Sequence, residues 1–352
     1  MSDTPLRVGV IGAGMIAAIH ADAIRRCPTT NLVGIMDRGS GKGALIAPEC
    51  DPRAADNLDA FIARPDIDAV MVASPSGAHL DAGLCAAAHK KHCLMEKPIE
   101  VTPERVDSLV DAHARAGTVL GGIFNTRYTE GALLLKEACE AGRFGRLTHV
   151  SAVGPWWRDQ SYYDDSDWKG TWSLDGGGAL MNQGIHSIDV LQRLVGDSVV
   201  SVSGHIATLA HERIEVEDTG TALLRFASGT LGTLALTTSV WPGCFRTITI
   251  GGTDGTAVLA DGNLLHWNFR HETAEDDAIR ARLLQLPGAG VGASDPSAGF
   301  DSEGHLAALA AFVDAVRSGQ PPLVDGHEAR KAVGIICAVY ESSRQHGAPI
   351  DL

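Results

Sequence analysis

The sequence predicts two joined architectures: a doubly wound parallel α/β domain over 1–123 and an α+β domain with a large, open, mainly antiparallel sheet over 124–352. Three observations carry that reading. Short apolar runs alternate with amphipathic helical stretches through the first third of the chain; β-rich segments then succeed one another without helices between them; two helical stretches close the sequence.

The apolar runs of the first part are LRVGVI (6–11), NLVGIM (31–36), DAVMVA (68–73), HCLME (92–96) and TVLGGI (118–123), with helical stretches at 14–26, 77–90 and 102–116. Strands that read as continuous apolar runs, several followed by a helix, belong to a parallel sheet covered on both faces. The third helix has a legible start, with Thr102 as N-cap, Pro103 in the first helical position and Glu104 in the first turn. After a helix near 127–141, segments 146–154, 198–209, 217–227, 230–239, 245–251 and 255–260 read as strands. Gly-containing turns at Ser228-Gly229, Gly251-Gly252 and Asp261-Gly262 join several of them, which implies antiparallel pairing. The glycine-rich stretch 287–299 reads as an exposed loop, and helices follow at 302–318 and 326–345, free to pack back on the first domain.

Of 352 residues, 45% are hydrophobic and 20% charged, the composition of a globular protein rather than a disordered or fibrous one. Twenty-nine basic against 43 acidic side chains leave a net charge of −14. Such a chain repels phosphate backbones, so a nucleic-acid binder is excluded, while an anionic small ligand needs local groups that reverse the field. Seven widely spaced cysteines without a CxxC pair fit neither a disulfide framework nor a zinc ribbon. With no apolar stretch long enough to span a membrane and no leader-like N-terminus, a cytoplasmic, membrane-free protein is expected. No HExxH, P-loop or GxSxG motif is present, and no set of histidines has metal-like spacing.

Strand 6–11 runs into Gly12-Ala13-Gly14-Met15-Ile16-Ala17, the GxGxxA pattern of a Rossmann dinucleotide site. Gly12 permits a tight turn, Gly14 lets a pyrophosphate approach the backbone, and Met15 and Ile16 open a helix whose N–H groups face the phosphates. Asp37 ends the second strand 23 residues after Gly14, close to the spacing of a ribose-binding carboxylate, and favours NAD. Arg38 beside it has the chemistry to pair with a 2′-phosphate, which keeps NADP open.

Further along, Ser74-Pro75, His79 and Glu96-Lys97-Pro98 stand at the ends of the third and fourth runs. With Asn125-Thr126-Arg127, the 142–145 turn and the run from Asp175 to Asp189, they make the chain resemble, over nearly its whole length, the Gfo/Idh/MocA family of sugar and cyclitol oxidoreductases. The resemblance implies that Ser74, Pro75, His79, Glu96 and Lys97 border the nicotinamide cofactor. It further implies a cis Lys97–Pro98 bond, His186 as the acid/base, and Arg127 facing the substrate cleft. Lys97, at the C-terminal end of a parallel strand, also has the charge to polarise a reacting hydroxyl. Asn182 stands four residues before His186, on the same helical face, where many inositol-type members have Asp. Asn cannot ionise, so it is expected to hold a hydroxyl while His186 and Lys97 handle the proton. Asp189 reads equally as an orienting group or a helix-surface carboxylate.

Four of six tryptophans and two of four tyrosines fall within residues 156–172, in a stretch also rich in charge. Trp156, Arg158, Tyr163 and Trp168 are therefore expected to line a sugar site. The function so implied is hydride transfer between NAD(P) and a secondary hydroxyl of a sugar, sugar derivative or cyclitol, in a homodimer or homotetramer. A glycoside hydrolase working by transient oxidation and elimination, and a non-catalytic NAD sensor, are the alternatives.

Overall fold

The structure is a computed structural model that describes residues 4–37, 39–50, 57–283 and 302–352. Two compact units emerge, one formed by 1–125 with 301–330 and the other by 126–300 with 331–352.

In the first unit, β1 (Leu6–Ile11), β2 (Thr30–Met36), β3 (Ala69–Val72), β4 (His92–Met95) and β5 (Leu120–Gly122) form one parallel sheet in the order β2-β1-β3-β4-β5. The order reverses between β1 and β3, the point where the loops after two neighbouring strands diverge and leave a crevice. Helix α1 (Met15–Arg26) follows β1, and α2 (Lys42–Ile46) and α3 (Leu58–Ile62) lie between β2 and β3. Those two helices, five residues each, are too short to leave a periodic signal in the sequence. Helices α4 (His79–Ala88) and α5 (Pro103–Ala116) follow β3 and β4, and the Thr102 hydroxyl accepts from the Arg105 N–H at 3.4 Å as the N-cap pattern requires. All four residues of β3 are buried, in keeping with a sheet covered on both faces.

The second unit begins with α6 (Glu130–Glu140), β6 (Leu147–Pro155) and the short helix α7 (Ser161–Asp164), then α8 (Ile185–Val195). Strands β7 (Val199–Ala207), β8 (Thr219–Phe226), β9 (Leu231–Thr237), β10 (Thr247–Gly252), β11 (Gly255–Ala260) and β12 (Asn263–Phe269) follow, and α9 (Asp276–Leu283) follows β12. Helix α10 (Ser302–Ser318) returns to the first unit, where it packs on α1 and Arg26 pairs with Glu303. Helix α11 (Gly326–Arg344) leads to β13 (Ile350–Asp351). The second sheet runs β12-β11-β10-β6-β9-β8-β7-β13, antiparallel except for the β6–β9 pair. On β8, Ala222, Leu224 and Phe226 are buried whereas Thr221, Leu223 and Arg225 are exposed, so the period-2 pattern separates a core face from an open one. Each large apolar side chain buried on the core face contributes roughly 1.5–3 kcal/mol. Strand β12 was not among the expected strands, but the expected turn at Asp261-Gly262, with φ 45° and 94°, is the one that joins it to β11. The 287–299 stretch lies outside the described residues.

Candidate active site

The first unit supplies the dinucleotide cradle. Gly12 has φ 107°, and a Cβ there would come within 2.6 Å of the Ala73 carbonyl oxygen, so only glycine lets the turn after β1 lie against the end of β3. At Gly14 a Cβ would meet nothing within 4 Å: the helix start faces open space. No side chain caps α1 and no acid stands in its first turn, an N-terminus whose dipole and N–H groups suit an anion. Met15 is exposed and Ile16 half-buried there, while Ala17 packs fully inside. Asp37 accepts from the Gly43 N–H at 2.7 Å and the Gly39 N–H at 2.8 Å. These bonds, the one from Gly43 foremost, hold its carboxyl below the usual carboxylate range, so it is charged and keeps lone pairs for two ribose hydroxyls. Ser74 Oγ is shielded from solvent and has no hydrogen-bond partner among the described residues, as a cofactor-facing hydroxyl would. The cradle fits NAD. Arg38 lies outside the described residues.

Two residues expected at the cofactor turn out to support the chain behind it. His79 is 1% exposed, with Nδ1 2.9 Å from the Pro98 carbonyl and Nε2 3.0 Å from the Ser74 carbonyl. Burial lowers its pKa, and its ring ties the turns after β3 and β4 together. Glu96 is buried with Oε1 2.9 Å from His20 Nε2 and 3.6 Å from His305 Nε2, while its Oε2 accepts from the Lys97 N–H at 3.1 Å. Desolvation opposes its charge, but the two imidazoles outweigh that and hold the carboxyl well below the usual range. Both residues therefore position the segment that carries Lys97. Lys97 itself is half-buried, and the Lys97–Pro98 bond is cis as expected.

In the second unit, Asn182 and His186 sit on successive turns, as the spacing implied, but the first turn, Ala179–Gly184, is a π-helix that runs into α8. Such wide turns are rare and occur often at functional sites. The turn is fixed at its start by Glu217, whose carboxylate accepts from the Gly178 and Leu180 N–H groups at 2.9 Å each and from the Tyr340 hydroxyl at 3.0 Å. Gly177 and Gly178 before it admit the protein's own atoms: a Cβ at Gly178 would lie 1.7 Å from the Glu217 carbonyl oxygen, and one at Gly177 2.0 Å from the Tyr340 hydroxyl. Asn182 and His186 are half-buried, and Asn182 Nδ2 donates to Asp175 Oδ1 at 2.8 Å. Asp189 is not a surface carboxylate: it is 1% exposed. It receives a two-point contact from Arg127 at 2.7 and 2.6 Å, with both side chains at most 1% exposed. Arg127, expected to line a cleft, thus has its fork closed on α8.

The aromatic stretch also departs from expectation. Tyr163 is 4% exposed with its hydroxyl on Thr238, and burial pushes its pKa up to about 12, which makes it core. Its neighbour Tyr162 has Lys169 Nζ 3.8 Å and the Arg158 guanidinium 5.5 Å from its ring centre. Trp156 has the guanidinium carbons of Arg158 and Arg246 each 5.8 Å from its ring. Trp168 is half-buried, its carbonyl accepting from Thr171. Lys169, Arg246, Asp175 and Glu217 were not singled out for roles from sequence. Lys169 and Asp175 stand in the charged stretch that drew attention, but nothing local marks Glu217. The result is a cluster of cations over aromatic faces, in which Arg246 is also paired with Asp261 at 3.0 Å.

Comparison with known proteins agrees with both halves. Residues 6–123 match an oxidoreductase family with an NAD-binding Rossmann fold, and 132–258 match the GFO/IDH/MocA C-terminal domain. The chain is 32% identical to the WlbA dehydrogenase of Bordetella pertussis, crystallised with NADH and UDP-GlcNAcA, covering 100% of this chain and 99% of that one with a TM-score of 0.89. It is 26% identical over 338 residues to a myo-inositol 2-dehydrogenase of Thermotoga maritima, covering 93% of each. A levoglucosan dehydrogenase of Pseudarthrobacter phenanthrenivorans is 27% identical across 72% of this chain and 73% of that protein. Family matches that span most of the chain, on a cradle shaped for a dinucleotide, establish that it belongs to the GFO/IDH/MocA family of NAD-binding oxidoreductases.

Proposed function

We propose that the protein transfers hydride between a secondary carbon of an anionic nucleotide sugar and the nicotinamide, oxidising the carbinol with NAD or reducing the matching ketone with NADH. The observation that carries the substrate class is the set of Arg158, Lys169 and Arg246 around Trp156 and Tyr162. Ring faces suit a sugar and cations suit a diphosphate or carboxylate, and one relative that matches end to end was crystallised with UDP-GlcNAcA.

NAD, when bound, supplies the hydride acceptor. The chain's own part is proton handling and orientation. His186 takes the hydroxyl proton, Lys97 donates to the same oxygen and stabilises charge that develops there, and Asn182 holds a neighbouring hydroxyl. Gly12, Gly14, Met15, Ile16, Asp37, Ser74 and Pro75 hold the dinucleotide. The same reading takes the protein as a cytoplasmic homo-oligomer: all seven cysteines are free thiols, and Val153, Leu223 and Leu231 leave apolar surface on the second unit. No described helix is long and apolar enough to cross a membrane. Stopped-flow absorbance of NADH with UDP-GlcNAcA, inositols and aldoses tests the substrate class; turnover of the neutral compounds alone would reject it. The hydrolase alternative predicts release of an aglycone without net NADH.

A further inference from the structure

We propose that Asp175 is a positioning residue that fixes which end of the Asn182 amide meets the substrate. This deepens the functional reading above and rests on it for the word substrate. Asp175 is 1% exposed, and its two oxygens are used separately: Oδ2 accepts from the Gly170 N–H at 2.9 Å and Oδ1 from Asn182 Nδ2 at 2.8 Å. A carboxylate only accepts, so it draws the nitrogen of the amide towards itself and turns the amide oxygen the other way. The backbone beneath is held as well. The Asn182 N–H donates to the Gly178 carbonyl at 2.8 Å, and Glu217 holds the N–H groups of Gly178 and Leu180. Asn182 therefore presents an acceptor, which suits a sugar hydroxyl that donates.

The arrangement explains why Asn, and not Asp, stands at 182. A second carboxylate there would lie at hydrogen-bond distance from Asp175, and two like charges so close keep one proton between them. Tyr162, Tyr163 and Tyr340 are all raised by burial, with the charge on Asp175 adding to the effect. An exchange of the two side chains, by contrast, restores one carboxylate and one amide.

The test compares Asn182→Asp with the exchanged double variant Asp175→Asn/Asn182→Asp. Infrared difference spectra with ¹³C-aspartate, which leave out the Glu217 carboxyl, should show a protonated aspartic acid at pH 7 in the single variant and none in the double. With NAD and UDP-GlcNAcA, kcat should fall at least about tenfold in the single variant, as expected for a displaced polar contact in the transition state. It should recover at least half of that loss, on a logarithmic scale, in the double. Full ionisation of both aspartates in the single variant, or a double variant no better than the single, overturns the proposal. If the wild type leaves UDP-GlcNAcA unchanged, the substrate reading fails alone, and the infrared result still decides the Asp175–Asn182 pair.

Discussion

His186 and Lys97 come from different units, and their roles separate in measurement. His186→Ala should cost about 10²–10⁴ in turnover, the usual contribution of a general acid–base group, with NAD affinity by calorimetry nearly unchanged. Lys97→Ala should lose a similar factor, and the double variant less than the product of the two if both act on one oxygen. Asp37 governs cofactor choice. Charged and held by two backbone N–H groups, it should make NAD bind more tightly than NADP, and Asp37→Asn should narrow that gap in the same titration. Short-range pattern marks the GxGxxA turn and the strand end at Asp37, whereas the role proposed for His186 came from the family resemblance. What pattern could not separate was contact from support. His79 and Glu96 stand beside the cofactor residues in sequence, yet both side chains point into the core. Tyr162 and Tyr163 are adjacent, and only the fold decides that the second is the buried one.

The π-turn and α8 form the element on which the chemistry depends, and two buried groups hold it. Glu217 lies beneath the turn with its carboxyl pushed up to about 7 by desolvation, which the N–H groups of Leu180 and Gly178 only partly offset. A carboxyl whose folded pKa lies above its ordinary 4.5 contributes stability that is present below pH 4.5 and lost as pH rises towards 7. The loss is roughly 3 kcal/mol, at about 1.4 kcal/mol per unit. Urea unfolding at pH 5 and pH 8 should therefore show a smaller pH difference in Glu217→Gln than in the wild type; an unchanged difference would mean that Glu217 is already ionised at pH 5. The Arg127–Asp189 pair anchors α8 itself. Arg127→Leu removes the two-point partner of a buried carboxylate and should cost about 3–5 kcal/mol, whereas Arg127→Leu with Asp189→Leu should cost less than Arg127→Leu alone. Neither anchor was legible. Glu217 reaches the turn from 37 and 39 residues away, and Arg127 reaches Asp189 across 62. Contacts of that range leave no periodicity, whereas the strands and long helices were readable because their patterns are local.

Across the whole molecule, a chain with a net charge of −14 is proposed to bind an anion, so the local field must do the work. Lys169→Ala should raise KM for UDP-GlcNAcA several-fold without changing NAD affinity, and KM should climb with ionic strength in the wild type as the Debye length shrinks below about 10 Å. Both trends should be absent for a neutral cyclitol. The central claim is that Lys97 and His186 move a proton while the NAD-binding unit supplies the redox partner. Single-turnover mixing of the protein and NAD with UDP-GlcNAcA, followed at the NADH absorbance, isolates that step. The account predicts NADH formation in the wild type, slowed at least about a hundredfold in His186→Ala at unchanged NAD occupancy; hydride transfer at the wild-type rate in that variant across the pH range would contradict it.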